Sequence, residues 1–146
     1  MIRVVLDTNR IISAILSPEG LADNILKSSG LKGVQKYQLV LSEPILQEAG
    51  RVLKYERLRP LHGWSDEKIC DFLNLLKEVA IITNGETIVK VVNSDPEDNK
   101  FFAAALEGDA SYIVSRDAHL HEVREYKGIK VLTPEVFITA FRTGAI

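Results

Sequence analysis

The chain has a single cysteine, Cys70. It cannot close a disulfide within itself, which excludes a disulfide-stapled secreted scaffold. It also lacks any apolar run near the ~18 residues that would span a bilayer. Met1-Ile2-Arg3-Val4-Val5-Leu6-Asp7 has neither the long apolar stretch nor the small-residue cleavage site of a secretory signal. The expected location is the cytoplasm, with no membrane partner. An excess of one charge is missing too. Lys and Arg number 18 against 20 Asp and Glu, a net −2, which is not the bulk charge of a non-specific nucleic-acid binder. The three histidines, His62, His119 and His121, have no cysteine partner and no His-Glu-x-x-His spacing, so a zinc centre is not expected. His119 and His121 are read as surface residues. No Gly-rich phosphate loop, dinucleotide fingerprint, repeat or low-complexity tract is present.

What remains is an ordinary globular composition, 46% hydrophobic and 26% charged over 146 residues. That length predicts one domain, 1–146, able to bury roughly 68–70% of its unfolded surface. Strand-like and helix-like segments alternate, which predicts an α/β fold. Ile2 to Leu6 is an apolar, β-branched run and reads as a buried strand. A short helix follows over Ile11 to Leu16, then one over Leu21 to Ser29. Gln38 to Leu41 is the next strand. Ser42 caps a helix with Pro44 in its first turn and Ile45, Ala49, Val52 and Leu53 on one face. Residues 55–64 read as a polar, basic turn. Ser65 caps a helix with Ile69, Phe72, Leu73, Leu76 and Val79 inward, and Cys70 beside that face as a packing residue. Ala80 to Thr83 is a short strand and Ile88 to Val92 an extended segment. Asp95 and Pro96 open a helix through Glu107. Ser111 to Ser115 and Gly128 to Leu132 are strands, and Thr133 caps a last helix carrying Val136, Phe137, Ala140 and Phe141.

The charge is uneven. Residues 27–62 hold Lys27, Lys32, Lys36, Arg51, Lys54, Arg57 and Arg59 against Glu43, Glu48 and Glu56. This is either an ordinary solvated surface or a phosphate-attracting edge beside an acidic site.

Four acids stand out. Asp7 and Asp117 each follow an apolar strand, where a parallel sheet binds ligands; each also suits a helix N-cap. Glu48 sits at spacings of three, one and four from Ile45, Ala49 and Val52, on or beside an apolar helix face. Asp98 repeats this with Phe101, Phe102 and Ala105. A carboxylate there is costly unless paired, protonated or bound to a cation, whereas a solvated surface explains Glu43, Glu97 and Glu107. If the four converge, their repulsion raises some of their pKa values. A hard cation such as Mg²⁺ relieves it while binding substrate phosphate.

Val5-Leu6-Asp7-Thr8-Asn9, Ser42-Glu43-Pro44-Ile45-Leu46-Gln47-Glu48, Asp95-Pro96-Glu97-Asp98-Asn99 with Ala103-Ala104-Ala105, Tyr112-Ile113-Val114-Ser115-Arg116-Asp117 and Thr133-Pro134-Glu135-Val136-Phe137 occur in that order. In this order and spacing the chain resembles the PIN-domain family, close to the toxin components of toxin–antitoxin pairs. The resemblance covers essentially the whole chain. It implies a three-layer α/β/α sandwich with a central, mostly parallel five-stranded sheet. It implies a Mg²⁺- or Mn²⁺-dependent endoribonuclease hydrolysing RNA phosphodiester bonds. Asp7, Glu48, Asp98 and Asp117 would be its catalytic and metal-binding residues, and Asn9 and Ser115 the residues that brace them. A cognate antitoxin and a homodimer follow as implied partners. Asp95 is open between a supporting acid and an N-cap.

In related proteins the arm formed here by residues 55–64 often contributes to substrate access. Arg51, Lys54, Arg57 and Arg59 are the candidate RNA-binding cations, with Tyr55, His62 and Trp64 interleaved. A polar turn with Trp64 against the core accounts for the same residues. Two other functions compete: a catalytically silent PIN-like module that binds RNA or protein, and an aspartyl-phosphate phosphatase. The second would usually need an aspartate where Asn9 stands.

Overall fold

A computed structural model of the chain describes residues 1–31 and 33–146. Lys32, one of the cations counted above, lies outside the described residues. The first half contains β1 (Arg3–Leu6), α1 (Thr8–Leu16), α2 (Leu21–Lys27), β2 (Gln38–Ser42), α3 (Glu43–Leu53), α4 (Arg59–His62) and α5 (Asp66–Val79). β3 (Ile81–Thr83) follows, and then a 3₁₀ turn (Pro96–Asp98) leads into α6 (Asn99–Glu107). The chain ends with β4 (Tyr112–Val114), α7 (Ala118–Val123), β5 (Glu125–Tyr126), β6 (Ile129–Leu132) and α8 (Pro134–Arg142).

The strands form one sheet in the order β3-β2-β1-β4-β6-β5, all parallel except β5 against β6. Val4, Val5 and Leu6, and Leu39, Val40 and Leu41, are all essentially inaccessible. Successive strand side chains point to opposite faces, so burial of consecutive residues means both faces are covered. This is the expected α/β sandwich. The sheet has a sixth strand beyond the five expected, because Lys127 and Gly128 turn with positive φ and fold residues 125–126 back on β6. The chain runs outward from β1 through β2 to β3, then returns to the other side of β1 with β4. The topological switch point therefore lies between β1 and β4, where open α/β sheets hold ligands.

Local sequence sets the helix starts. Ser42, Ser65 and Thr133 each accept a hydrogen bond from the amide three residues on, as N-caps do. The expected 95–107 helix is divided: Pro96 permits a first tight turn capped by Asp95, which accepts from Glu97 N at 3.2 Å, and α6 begins at Asn99. This favours the cap reading of Asp95.

Several expectations need correction. The 55–64 turn contains a helical turn, α4, and α7 follows Asp117; four and six residues are too few for a periodic signal. The 88–92 segment, expected to be extended rather than a sheet strand, joins no strand. Its Val91 and Val92 amides donate to Asn99 Oδ1 at 3.0 and 2.8 Å. Cys70 is exposed, since Ile69 one residue earlier is the one turned inward. Glu107 is more than a solvated residue: it accepts from the Gly85 and Thr87 amides at 2.9 and 2.8 Å and so pins that loop. Among the described residues no helix is long and apolar enough to cross a membrane.

Trp64 packs edge-on to Phe72 at 5.4 Å and joins the small cluster of Ile12, Leu53 and Ile69. His62 holds this arm: its Nδ1 accepts from Trp64 N, and Nε2 lies 2.8 Å from Leu53 O. Nε2 therefore carries the proton in this arrangement.

Gly108, which ends α6, lies against β2. A Cβ there would stand 2.3 Å from Val40 Cγ1, and Val40 is fully buried. Gly108→Ala is expected to destabilise the protein by about 1–3 kcal/mol, the usual cost of overpacking a core, read as a lower urea midpoint with an unchanged m-value.

A candidate acidic active site

Register places the first two acids. β1 and β4 pair with Leu6 beside Val114, and the Asp7 amide donates to Val114 O at 3.3 Å. The next residues, Asp7 and Ser115, therefore leave the sheet side by side. The buried Ser115 hydroxyl donates to Asp7 Oδ2 and accepts from the Asp117 amide at 2.9 Å. Asp7 also caps α1, accepting from Arg10 N at 2.9 Å, and Asp117 caps α7, accepting from His119 N at 2.8 Å. Capping and site formation are not competing explanations here, since a carboxylate oxygen has lone pairs for both.

His121 is half-buried rather than a plain surface residue, with Nε2 2.6 Å from Ser115 O. His119 is half-buried as well, and its Nδ1 is enclosed without a partner. The packing of α7 on the strand end, unforeseen from sequence, accounts for both.

Asp7 is 3% exposed and Asp98 9%. Burial pushes the Asp7 carboxyl up, against the pull of the Ser115 hydroxyl and the Arg10 amide and charge, while Asp117 adds to the rise. Asp98 is pushed up to about 7, first by burial, then by the charge of the Asp117 carboxylate and a side-chain hydrogen bond with it, and by Asp95, with Lys100 opposing. The structure thus brings Asp117 within electrostatic reach of both Asp7 and Asp98. Asp98 Oδ2 is buried with no hydrogen-bond partner.

Glu48 is held differently. Lys100, on α6, donates to its Oε2, and Arg51 Nη2 stands 4.0 Å from the same oxygen. Sequence required a partner for this half-buried acid but did not name Lys100, which is 52 positions away.

The bracing of Asp7 comes from Ser115 and Arg10, whereas Asn9, expected to share it, is exposed at the second position of α1. Arg10 Nε lies 3.9 Å from Asp7 Oδ1. Its position three residues beyond Asp7, one helical turn on, was the available signal. Burial lowers its pKa, Asp7 opposes that, and the like charge of Arg116 adds to the lowering. Arg116 itself pairs with Glu135.

The proposed RNA-binding cations are unequal. Arg51 and Lys54 are exposed, and Arg57 lies over the Tyr55 ring at 5.1 Å. Arg59 is engaged by Asp66 and by Trp64 O at 3.4 Å, so it braces the arm.

A hard cation suits what is present. The donors are carboxylate oxygens of Asp7 and Asp117 at the carboxyl ends of β1 and β4 and of Asp98 in the turn before α6, whose Oδ2 is buried without a partner. Among the described residues no group of three or more His, Cys, Asp or Glu side chains is arranged to hold a metal ion by itself. Hard carboxylate oxygens suit an ion such as Mg²⁺, which binds through few protein carboxylates and keeps several waters.

A PIN-domain model matches residues 3–119. A protein of Methanocaldococcus jannaschii, described as uncharacterized protein MJ1680, is 33% identical over 147 residues, covering 96% of this chain and 92% of that one. The chain belongs to the PIN-domain family, whose members are generally nucleases that use divalent metal ions.

The raised Asp98 pKa has a consequence for stability. An acid whose folded pKa lies above its unfolded value favours the folded state at low pH, and that contribution is lost as pH rises through the folded value. In EDTA the melting temperature should therefore fall between about pH 4 and pH 7. Asp98→Asn should flatten this slope and raise the melting temperature at the alkaline end.

Proposed function

We propose that the protein is a Mg²⁺- or Mn²⁺-dependent endoribonuclease and the toxin of a toxin–antitoxin pair. Asp7, Glu48, Asp98 and Asp117 form its acidic set. The observation that carries this reading is Asp98 Oδ2, a buried oxygen without a partner beside the Asp117 carboxylate. An arrangement that leaves a buried acceptor unpaired is costly unless a proton or a ligand completes it.

When bound, the cation supplies charge neutralisation at phosphorus and lowers the pKa of a water. The chain does the positioning. Asp98 and Asp117 would contact the ion, with Asp7 alongside. Ser115 fixes the distance between Asp7 and Asp117 through two hydrogen bonds from one buried hydroxyl. Asn99 ties the 91–92 segment to the turn that presents Asp98. Arg51, Lys54 and Arg57 offer exposed positive charge on and just beyond the helix that carries Glu48, which suits the flank of an RNA strand. An aspartyl-phosphate reaction is disfavoured, since Asp7 is 3% exposed and both its oxygens are engaged.

As a toxin the protein would act in the cytoplasm as a single PIN domain over 1–146 and as a homodimer. A cognate antitoxin would cover the acidic cleft. These parts of the reading rest on the family resemblance.

Purified protein incubated with a heterogeneous RNA pool is expected to cut it in Mg²⁺ or Mn²⁺ and not in EDTA. Asp7→Asn and Asp98→Asn should each lower cleavage by roughly a hundredfold or more, with the fold retained by circular dichroism. Full activity in either folded variant would sink the assignment. Chelator-insensitive RNA binding without cutting would favour the silent binding module instead.

A further inference from the structure

Lys100 is the second residue of α6 and crosses to α3. Its ammonium donates to Glu48 Oε2, and the two side chains are only 14% and 22% exposed. The ammonium also lies 5.2 Å from the Phe101 ring centre. Two residues before it, Asp98 feels its charge. A fixed cation thus pairs with Glu48 and reaches Asp98 with its charge, and Arg51 approaches the same Glu48 oxygen from its own helix.

An ammonium in this position has two consequences. It neutralises the Glu48 carboxylate, which would otherwise attract a divalent ion. It also repels any ion brought to that side of the cluster, strongly so in a half-buried setting of low dielectric. The aspartates differ. Asp98 Oδ2 is buried and unpartnered, the Asp117 carboxylate acts on Asp98, and Asp7 is already oriented by Ser115.

We propose that Lys100 is a positioning residue that takes the place of a second divalent cation, so that the site loads one ion, held on the Asp98–Asp117 side, with Glu48 outside its coordination shell. This rests on the metal-dependent reading above and departs from the family resemblance, which counts Glu48 among the ligands. The ammonium keeps Glu48 in place without an ion, and Glu48 in turn keeps the ammonium off Asp98 Oδ2.

The test counts bound ions rather than activity. Wild-type protein, Lys100→Met and Glu48→Gln would be titrated with Mn²⁺ by isothermal calorimetry at low salt. Wild type should bind one ion. Glu48→Gln should also bind one, with a dissociation constant within about threefold of wild type, well short of the 10–100-fold change that even supporting residues of a metal site cause. Lys100→Met should gain a second ion, and the Lys100→Met/Glu48→Gln double variant should lose it again. If the methionine variant does not fold, Lys100→Gln replaces it. Two ions in wild type, loss of the wild-type ion in Glu48→Gln, or a single ion in the folded Lys100 variants would each overturn the role of Lys100 while leaving a metal-dependent site standing. No ion bound by wild type would overturn the metal-dependent reading, and the role of Lys100 with it.

Discussion

The buried Ser115 hydroxyl is the interaction on which the site depends. Parallel pairing brings the ends of β1 and β4 together, and each end carries an acid. Two carboxylates leaving adjacent strands would separate if nothing spaced them. Ser115 donates to one and accepts from the backbone of the other, and its own carbonyl is fixed by His121. Each acid meanwhile caps the helix that follows it. The same hydrogen bonds that start α1 and α7 therefore aim the carboxylates. Charge repulsion within the cluster is balanced by capping and by register in the sheet, both distributed through the fold.

Asp98 completes this arrangement from another direction. It comes from a 3₁₀ turn ahead of a helix, not from a strand end. The turn is held by Asp95, by Asn99 and by the 91–92 amides that Asn99 accepts. One of the Asp98 carboxylate oxygens is buried without a hydrogen-bond partner, and its pKa is pushed up to about 7. Glu48, by contrast, is paired through Oε2 with Lys100, with Arg51 close by. The four acids that look equivalent in sequence occupy three electrostatic situations: braced strand-end caps, an unsatisfied turn residue and an ion-paired helix residue.

Much of this was legible in the sequence. Buried strands announce themselves as apolar runs, so the positions of Asp7 and Asp117 followed from the ends of Val4-Val5-Leu6 and Ile113-Val114. Helical spacing put Glu48 and Asp98 near apolar faces, and the structure has them half-buried and buried. Long-range partners were not legible. Nothing near Glu48 points to Lys100, because the pair forms only once α3 and α6 pack together. The roles of His121 and Glu107 were missed for the same kind of reason: each is defined by a neighbour that folding supplies, whereas Arg10 stands one helical turn from Asp7 and was legible. Elements of two to six residues, such as β5, α4 and α7, are too short to carry a period. Cys70 was misread because one residue along a helix is a rotation of 100°, enough to move a side chain from the core to solvent.

The sheet ends in short strands on both sides. β3 has three residues and β5 two, the latter antiparallel to its neighbour. Such margins offer few unpaired backbone groups, and natural proteins use short edges to prevent strand-by-strand growth. A second copy or another protein gains little by extending this sheet. Any stable assembly of the molecule must be built from helix surfaces and side-chain complementarity, which makes its choice of neighbours a matter of surface chemistry more than of backbone templating.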